Sequence, residues 1–415
     1  MRLTLLLSLA ALASSALAAP ALATPPCAGA TWGDITSPST SIHVDDAGDD
    51  GGDGTESEPV ATLSEALTRS RKSGVTKRIA IHPGTYDGGL VLKKTLPGSQ
   101  TDDGLIIEGC SAAEVTVVPP EGGSGDPIFE IYQADTVKLA GVTLDGGTRT
   151  LLLHDGASAT VFKVVVDNAT RVGILAAGGG TVLALQKSTV QDTVADSGSY
   201  GWGVGVQGAT LTMDDTDVLR SVEVGLFADD ADLDLATCAI EDTAPNASGY
   251  YGRGVHIQNG TSGDFDDLDL GGNTDAAFFG HRFADIAIHG FDIPVAQGGI
   301  IAGSSETTGD GIVLTRAGST SAVTNFVATL TSDTFSYTDR AAVVLDGVDA
   351  TVVGNTGSDL GGPVPPGCSG PAVIYSQDGT DLDGADTTVD CRTYALDSSH
   401  ELELNLTALT VDSGW

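Results

Sequence analysis

The chain is 415 residues long and carries 56 acidic against 19 basic side chains, a formal net charge of −37. So negative a surface repels phosphate, which excludes nucleic acid as a partner. A chain of this length ordinarily divides into two or more domains, but 55 glycines and a recurring phrase point to one repetitive unit instead.

The N-terminus opens on Met1-Arg2 and an apolar run from Leu3 to Ala18. One positive charge, a Leu/Ala core and the sites Ala16-Leu17-Ala18 and Ala21-Leu22-Ala23 predict a cleavable secretory signal over residues 1–23. The run falls short of the roughly 20 residues that span a bilayer, and Pro20, Pro25 and Pro26 follow it. No later stretch is apolar enough to cross a membrane. A secreted or cell-surface monomer without a membrane span is expected.

Five cysteines in an exported chain suggest two disulfides and one thiol left over. Cys27 and Cys110 bracket the N-terminal region, whereas Cys368 and Cys391 lie about one repeat apart; these four are the disulfide candidates, with their pairing open. Cys238 shares a repeat column with Val142, Val164 and Leu268, which predicts a buried, inert thiol.

Residues 24–120 read as an N-terminal lead-in and cap segment with the first coils. Asp45-Asp46-Ala47-Gly48-Asp49-Asp50-Gly51-Gly52-Asp53-Gly54 has the composition of a calcium loop, but Val60 stands where an EF-hand begun at Asp49 requires its bidentate Glu. A flexible acidic loop is expected there. One helix follows, opened by Ser57-Glu58-Pro59, with Val60, Leu63 and Leu67 on one face and Gly74 closing it. Such a helix covers the exposed end of a solenoid.

Residues 121–415 carry the repeat. Leu139 with Leu144, Val161 with Val166, Leu185 with Val190, Met213 with Val218, Leu235 with Ile240, Phe265 with Leu270 and Ile288 with Ile293 keep one offset, and Leu404 with Leu409 resumes it. Period-two alternation marks strands with one buried face, and the fixed offset places two short strands about a bend of constant shape. A second series precedes each unit: Leu151-Leu152-Leu153, Gly173-Ile174-Leu175, Gly203-Val204-Gly205-Val206, Gly254-Val255-His256-Ile257, Gly311-Ile312-Val313-Leu314 and Ala372-Val373-Ile374-Tyr375. Stacked coils follow, each supplying the edge on which the next pairs.

Gly54-Thr55, Pro59, Leu63, Ala66-Leu67 and Ile79-Ala80-Ile81-His82-Pro83-Gly84-Thr85-Tyr86 resemble the opening segment of pectin-lyase-like right-handed β-helix proteins. The phrase from Tyr251 to Gly260 is similar to bacterial exported β-helix repeat proteins. The resemblance covers nearly all of the mature chain. It implies an all-β fold, a single-stranded right-handed parallel β-helix with an N-terminal capping helix. It implies no one function, because the fold hosts lyases, hydrolases, esterases, adhesins and passive surface proteins.

Ligand-binding candidates fall on two coils of matching phrase: Trp202 and Gln207 (with Tyr200) on one, Tyr251, Arg253, His256 and Gln258 (with Tyr250) on the other. With Val255 and Ile257 inward, His256 and Gln258 point outward and Gln207 joins their side. The loops 196–201 and 245–252 flank them. Rings and planar hydrogen-bonding groups on a rigid sheet suit sugar rings; the competing reading is a glutamine ladder beside tyrosines that merely cover loops. Asp214 and Asp215 with Asp217, and Asp266 and Asp267 with Asp269, recur two coils apart. Their oxygens are candidate Ca²⁺ ligands, against the plainer reading of a solvated acidic face. Asn273-Thr274-Asp275 and Gly280-His281-Arg282 are similar to fragments of polygalacturonase motifs, but they are nearly adjacent and lack the Asp-Asp pair between them. Asn273 instead fits a turn column with Thr193, Ser221 and Thr243.

The functional expectation is a non-catalytic surface or glycan-binding scaffold for an extracellular polysaccharide or cell-surface glycan, with no cofactor assigned beyond the Ca²⁺ candidates. The alternative is a polysaccharide lyase or glycoside hydrolase, Ca²⁺-dependent in the lyase case. No lysine follows Lys187, so Arg253 or Arg282 would be its proton-abstracting base.

Overall fold

The computed structural model describes residues 41–293, apart from 74–76, 99, 122–126 and 199, and beyond these the strands from Asp310–Thr315 to Leu404–Val411. The predicted signal, Cys27, Cys368 and Cys391 lie outside the described residues. Every registered strand pair is parallel. Among the described residues a 12-stranded sheet forms one face of the coils, and a 23-stranded sheet wraps the other two.

The apolar offset becomes an internal column. Val161 pairs with Leu139 and Leu185, Leu185 with Met213, Met213 with Leu235, Leu235 with Phe265, and Phe265 with Ile288. All are buried within one continuous cluster that runs from Ile42 to Leu314. The bend behind the constant offset is a left-handed residue two places after each member: Gly141, Lys163, Lys187, Asp215, Thr237, Asp267 and Gly290, with φ between 47° and 67°. Side chains at this bend face solvent, so polar residues are tolerated where glycine is otherwise favoured. Cys238 occupies the predicted column, pairs in register with Leu268 and is buried. Burial pushes its thiol up to about 12, the inert state expected.

A second column needs glycine for a different reason. Gly173, Gly203, Gly225 and Gly254 open successive strands of the 12-stranded sheet. A Cβ on Gly173 would lie 2.6 Å from the carbonyl oxygen of Gly203, and one on Gly254 2.5 Å from that of Ala277.

Two expectations are corrected near the N-terminus. The helix spans Leu63–Ser73 and starts later than Pro59, because Val60 makes a parallel bridge to Val44. Thr62 is the N-cap: its hydroxyl accepts the Glu65 amide at 3.1 Å. The acidic loop before it is folded rather than flexible. Asp50 accepts the amides of Ala61 and Thr62, both at 2.9 Å. Arg69 reaches back from the helix to the carbonyls of Asp50 and Gly52. Leu63, Ala66 and Leu67 close the end of the core.

Candidate ligand-binding face

The 12-stranded sheet presents two outward columns. One holds Leu152, Leu175, Gly205, Phe227, His256 and Phe279 in register, the other His154, Ala177, Gln207, Asp229, Gln258 and His281. The two phrases read from the sequence are therefore not adjacent. The strand Val224–Asp229 intervenes and supplies Phe227 and Asp229.

Trp202 starts its strand and leans across Gly205, where an added Cβ would lie 3.2 Å from the indole. The indole stacks on Phe227 with centroids 4.1 Å apart and planes at 19°. His256 stands edge-on to Phe227 and to Phe279, at 5.3 and 5.0 Å. Tyr200 meets the indole edge-on at 5.1 Å. The result is an aromatic ladder along the solenoid, in which the rings use much of their surface on one another.

Arg253 is anchored on three sides. Its Nε donates to Asp275 Oδ2 at 2.6 Å, its guanidinium lies 3.5 Å over Phe279, and Nη1 lies 3.3 Å from His256 Nδ1. Since arginine only donates, Nδ1 of His256 accepts and the neutral ring carries its proton on Nε2. Burial, then the charge of Arg253, holds its pKa well below the usual value. Nε2 has no hydrogen-bonding partner; the edge-on phenyl rings are the environment that tolerates an N–H of this kind.

In the polar column Asp229 stands between the two glutamines. Gln258 donates to Asp229 Oδ2 at 3.2 Å and Asn259 donates to its Oδ1 at 2.9 Å. Gln207 pairs in register with Asp229 from the other side.

The exposed rings come from the loops. Tyr200, Tyr250 and Tyr251 are 39, 50 and 43 % exposed. Arg171 covers the Tyr200 ring at 4.2 Å, and Arg253 lies 5.3 Å from that of Tyr251. Both Tyr200 and Tyr251 have left-handed backbones, φ 65° and 67°, a conformation that costs a bulky L-residue about 1–2 kcal/mol. Asn246 folds the second loop. Its Oδ1 accepts the amides of Ser248 and Tyr250, and its Nδ2 donates to Glu223 Oε1 at 2.8 Å.

Glu223 is the residue that sequence reasoning missed. It is buried beneath that loop. Burial pushes its carboxyl up, which the hydrogen bond from Asn246 partly offsets.

The remaining candidates lie apart. Asp214 and Asp266 sit on the 23-stranded sheet with Ala236 between them in register, and Asp215 and Asp267 occupy its bends. Among the described residues no group of three or more His, Cys, Asp or Glu side chains gathers as metal ligands. On the same face Glu241 is pushed up to about 7 by burial and by its hydrogen-bonded neighbour Asp269. Arg282 turns the chain just beyond the strand Ala276–His281, with φ 52°. Asn273 is fully buried, bonding the Thr243 amide and the carbonyls of Ile240 and Leu270, as a turn residue does. No helix of the described residues is long and apolar enough to cross a membrane.

No protein-family model matches the sequence, and no curated protein matches it. Solved structures do. The catalytic unit of a thermostable GH87 α-1,3-glucanase from Streptomyces thermodiastaticus strain HF3-3 superposes with a TM-score of 0.50 at 15 % identity, over 91 % of this chain and 70 % of that one. Pectate lyase Pel9A gives 0.44 at 12 % identity, over 90 % and 79 %. The A-module of the Azotobacter vinelandii mannuronan C-5 epimerase AlgE6 gives 0.45 at 13 % identity, over 79 % and 94 %. At these identities the likeness is one of architecture. Parallel stacking, a single internal column set and one terminal helix agree with it: the chain has the pectin-lyase-like right-handed parallel β-helix fold.

Proposed function

We propose that this is an exported β-helix that binds an extracellular polysaccharide or cell-surface glycan on the outer face of the 12-stranded sheet, without transforming it. The observation that carries the reading is the grouping of Tyr200, Trp202, Tyr250 and Tyr251 beside Arg253 and the Gln207–Asp229–Gln258 column. Exposed phenol rings on two anchored loops offer stacking surfaces, and the flat strand face offers amide and carboxylate edges to hydroxyls. The apolar leader, and disulfides drawn from Cys27, Cys110, Cys368 and Cys391, belong to the same reading of an exported chain.

The solved α-1,3-glucanase unit shares the fold, which makes hydrolysis the natural competitor. For the lyase alternative, Arg253 is a poor base here, because Asp275 and the Phe279 ring hold its guanidinium. Pull-down on a panel of insoluble polysaccharides is expected to retain the wild type, and Trp202→Ala and Tyr251→Ala to weaken retention about tenfold, a loss of about 1.4 kcal/mol. Unchanged retention of both variants would remove this face from consideration. New reducing ends or unsaturated products from the same polysaccharides would replace binding by catalysis.

A further inference from the structure

We infer that Arg171 is a positioning residue of this face: at the cost of a left-handed backbone it pins both ends of the loop that carries Tyr200 and sets the Tyr200 ring for a ligand. The ligand rests on the binding reading above; the geometry of the loop does not.

Arg171 stands directly before the strand Val172–Ala177 with φ 107°. In the next three coils the equivalent places, before Trp202, Val224 and Arg253, are Gly201, Glu223 and Gly252, with φ 112°, 79° and 100°. Glycine takes this conformation freely and an L side chain does not. Each of the four meets the turn of the coil stacked upon it. Where that turn is short, as in 220–223 and 270–275, space as well as φ demands glycine. A Cβ on Gly201 would run into the Val222 carbonyl, and one on Gly252 would lie 2.8 Å from Thr274 Cβ. Where it is long, as in 192–201 and 242–252, a side chain stands instead and reaches into the loop. Glu223 accepts from the Asn246 side chain at 2.8 Å, and Arg171 lies over the Tyr200 ring at 4.2 Å.

The peptide groups of Arg171 hold the same loop. Its amide donates to Val194 O at 2.8 Å, where the loop begins, and its carbonyl accepts the Gly201 and Trp202 amides at 2.8 and 2.9 Å, where the loop ends. Between these anchors the guanidinium covers the phenol, drawn to it by the ring quadrupole. The Trp202 indole meets the same ring edge-on, and the part of Tyr200 left exposed is the surface on which a sugar can stack.

Arg171→Gly keeps the peptide bonds to Val194, Gly201 and Trp202, removes the strain and deletes the guanidinium. Its melting temperature is expected to equal or exceed that of the wild type, while retention on a polysaccharide that the wild type binds falls about fivefold. Tyr200→Ala is expected to lose as much. The double variant is expected to lose no more than Tyr200→Ala alone, because Arg171 acts only through the ring. Without any ligand, the Arg171 Cδ protons in arginine-labelled protein are expected to resonate upfield, shifted by the Tyr200 ring current, and to return to the ordinary range in Tyr200→Ala. An unshifted Arg171 resonance, or a lowered melting temperature in Arg171→Gly, overturns the positioning role whatever the ligand. So does undiminished retention of Arg171→Gly, or a double variant weaker than Tyr200→Ala, which would put the guanidinium on the ligand itself. If no polysaccharide binds the wild type, the binding reading falls alone, and the resonance and melting results still decide the role of Arg171.

Discussion

Gly205 decides where an indole goes. Because that position has no side chain, Trp202 can lean across it onto Phe227 one coil on. Alternation alone placed Gln207, His256 and Gln258 on one outward side, whereas Trp202 and Arg253 stand in register with the buried Val172 and Val224 at the heads of their strands. It could not show Glu223, which takes a positive φ and accepts from the Asn246 side chain 23 residues on. Nor does it show the pairing of Glu241 with Asp269, which depends on coils of unequal length falling into register. That pair makes a pH prediction. The Glu241 carboxyl is raised from 4.5 to about 7, so the folded state prefers the protonated form. Its contribution is complete below the unfolded value and is lost as pH rises through about 7. Melting temperature is therefore expected to fall between pH 6 and pH 8, and Glu241→Gln to flatten that fall. Equal slopes for both proteins would mean that the two carboxyls do not share a proton.

At the scale of the element, strands were legible and their boundaries with turns were not. The fixed offset among apolar residues follows from a left-handed residue at each bend, and it survived substitutions from glycine to lysine because that side chain points to water. The second series as read from the sequence omits the strand Val224–Asp229, although Gly225-Leu226-Phe227 repeats the phrase Gly173-Ile174-Leu175. The helix start was misplaced because Pro59 is an attractive first residue, whereas the bridge of Val60 to Val44 is a tertiary fact. Glycine at the head of these four strands, Gly173, Gly203, Gly225 and Gly254, is testable. A methyl group on Gly225 would press against the Ile240 side chain and lie 2.7 Å from the Gly254 carbonyl oxygen. Gly225→Ala is expected to destabilise by about 1–3 kcal/mol, as overpacking does, measurable as a lower urea midpoint. Gly208→Ala, with nothing within 4 Å but a φ of 61°, isolates backbone strain from packing and is expected to be milder. A midpoint unchanged in Gly225→Ala would contradict the close stacking of coils at that column.

Over the whole molecule, the solenoid spreads a formal charge of −37 along a rigid surface. Surface charges of one sign repel across the short distance between coils, and salt screens them beyond about 8–10 Å at physiological strength. The same field meets any ligand approaching the aromatic ladder. The described ion pairs already engage Arg253 with Asp275 and Arg220 with Asp192, so little positive charge is left on them to receive an anionic polymer. An uncharged polysaccharide, held by ring stacking and hydroxyl hydrogen bonds, has no such field to overcome. Its retention is expected to change less than about twofold between roughly 50 and 500 mM NaCl, whereas a polyuronate would be retained only as salt rises and repulsion is screened. Affinity electrophoresis of the same protein through gels containing either polymer, at both salt concentrations, separates the two. Strong low-salt retention by the polyuronate would mean that a local positive site outweighs the field of the whole chain.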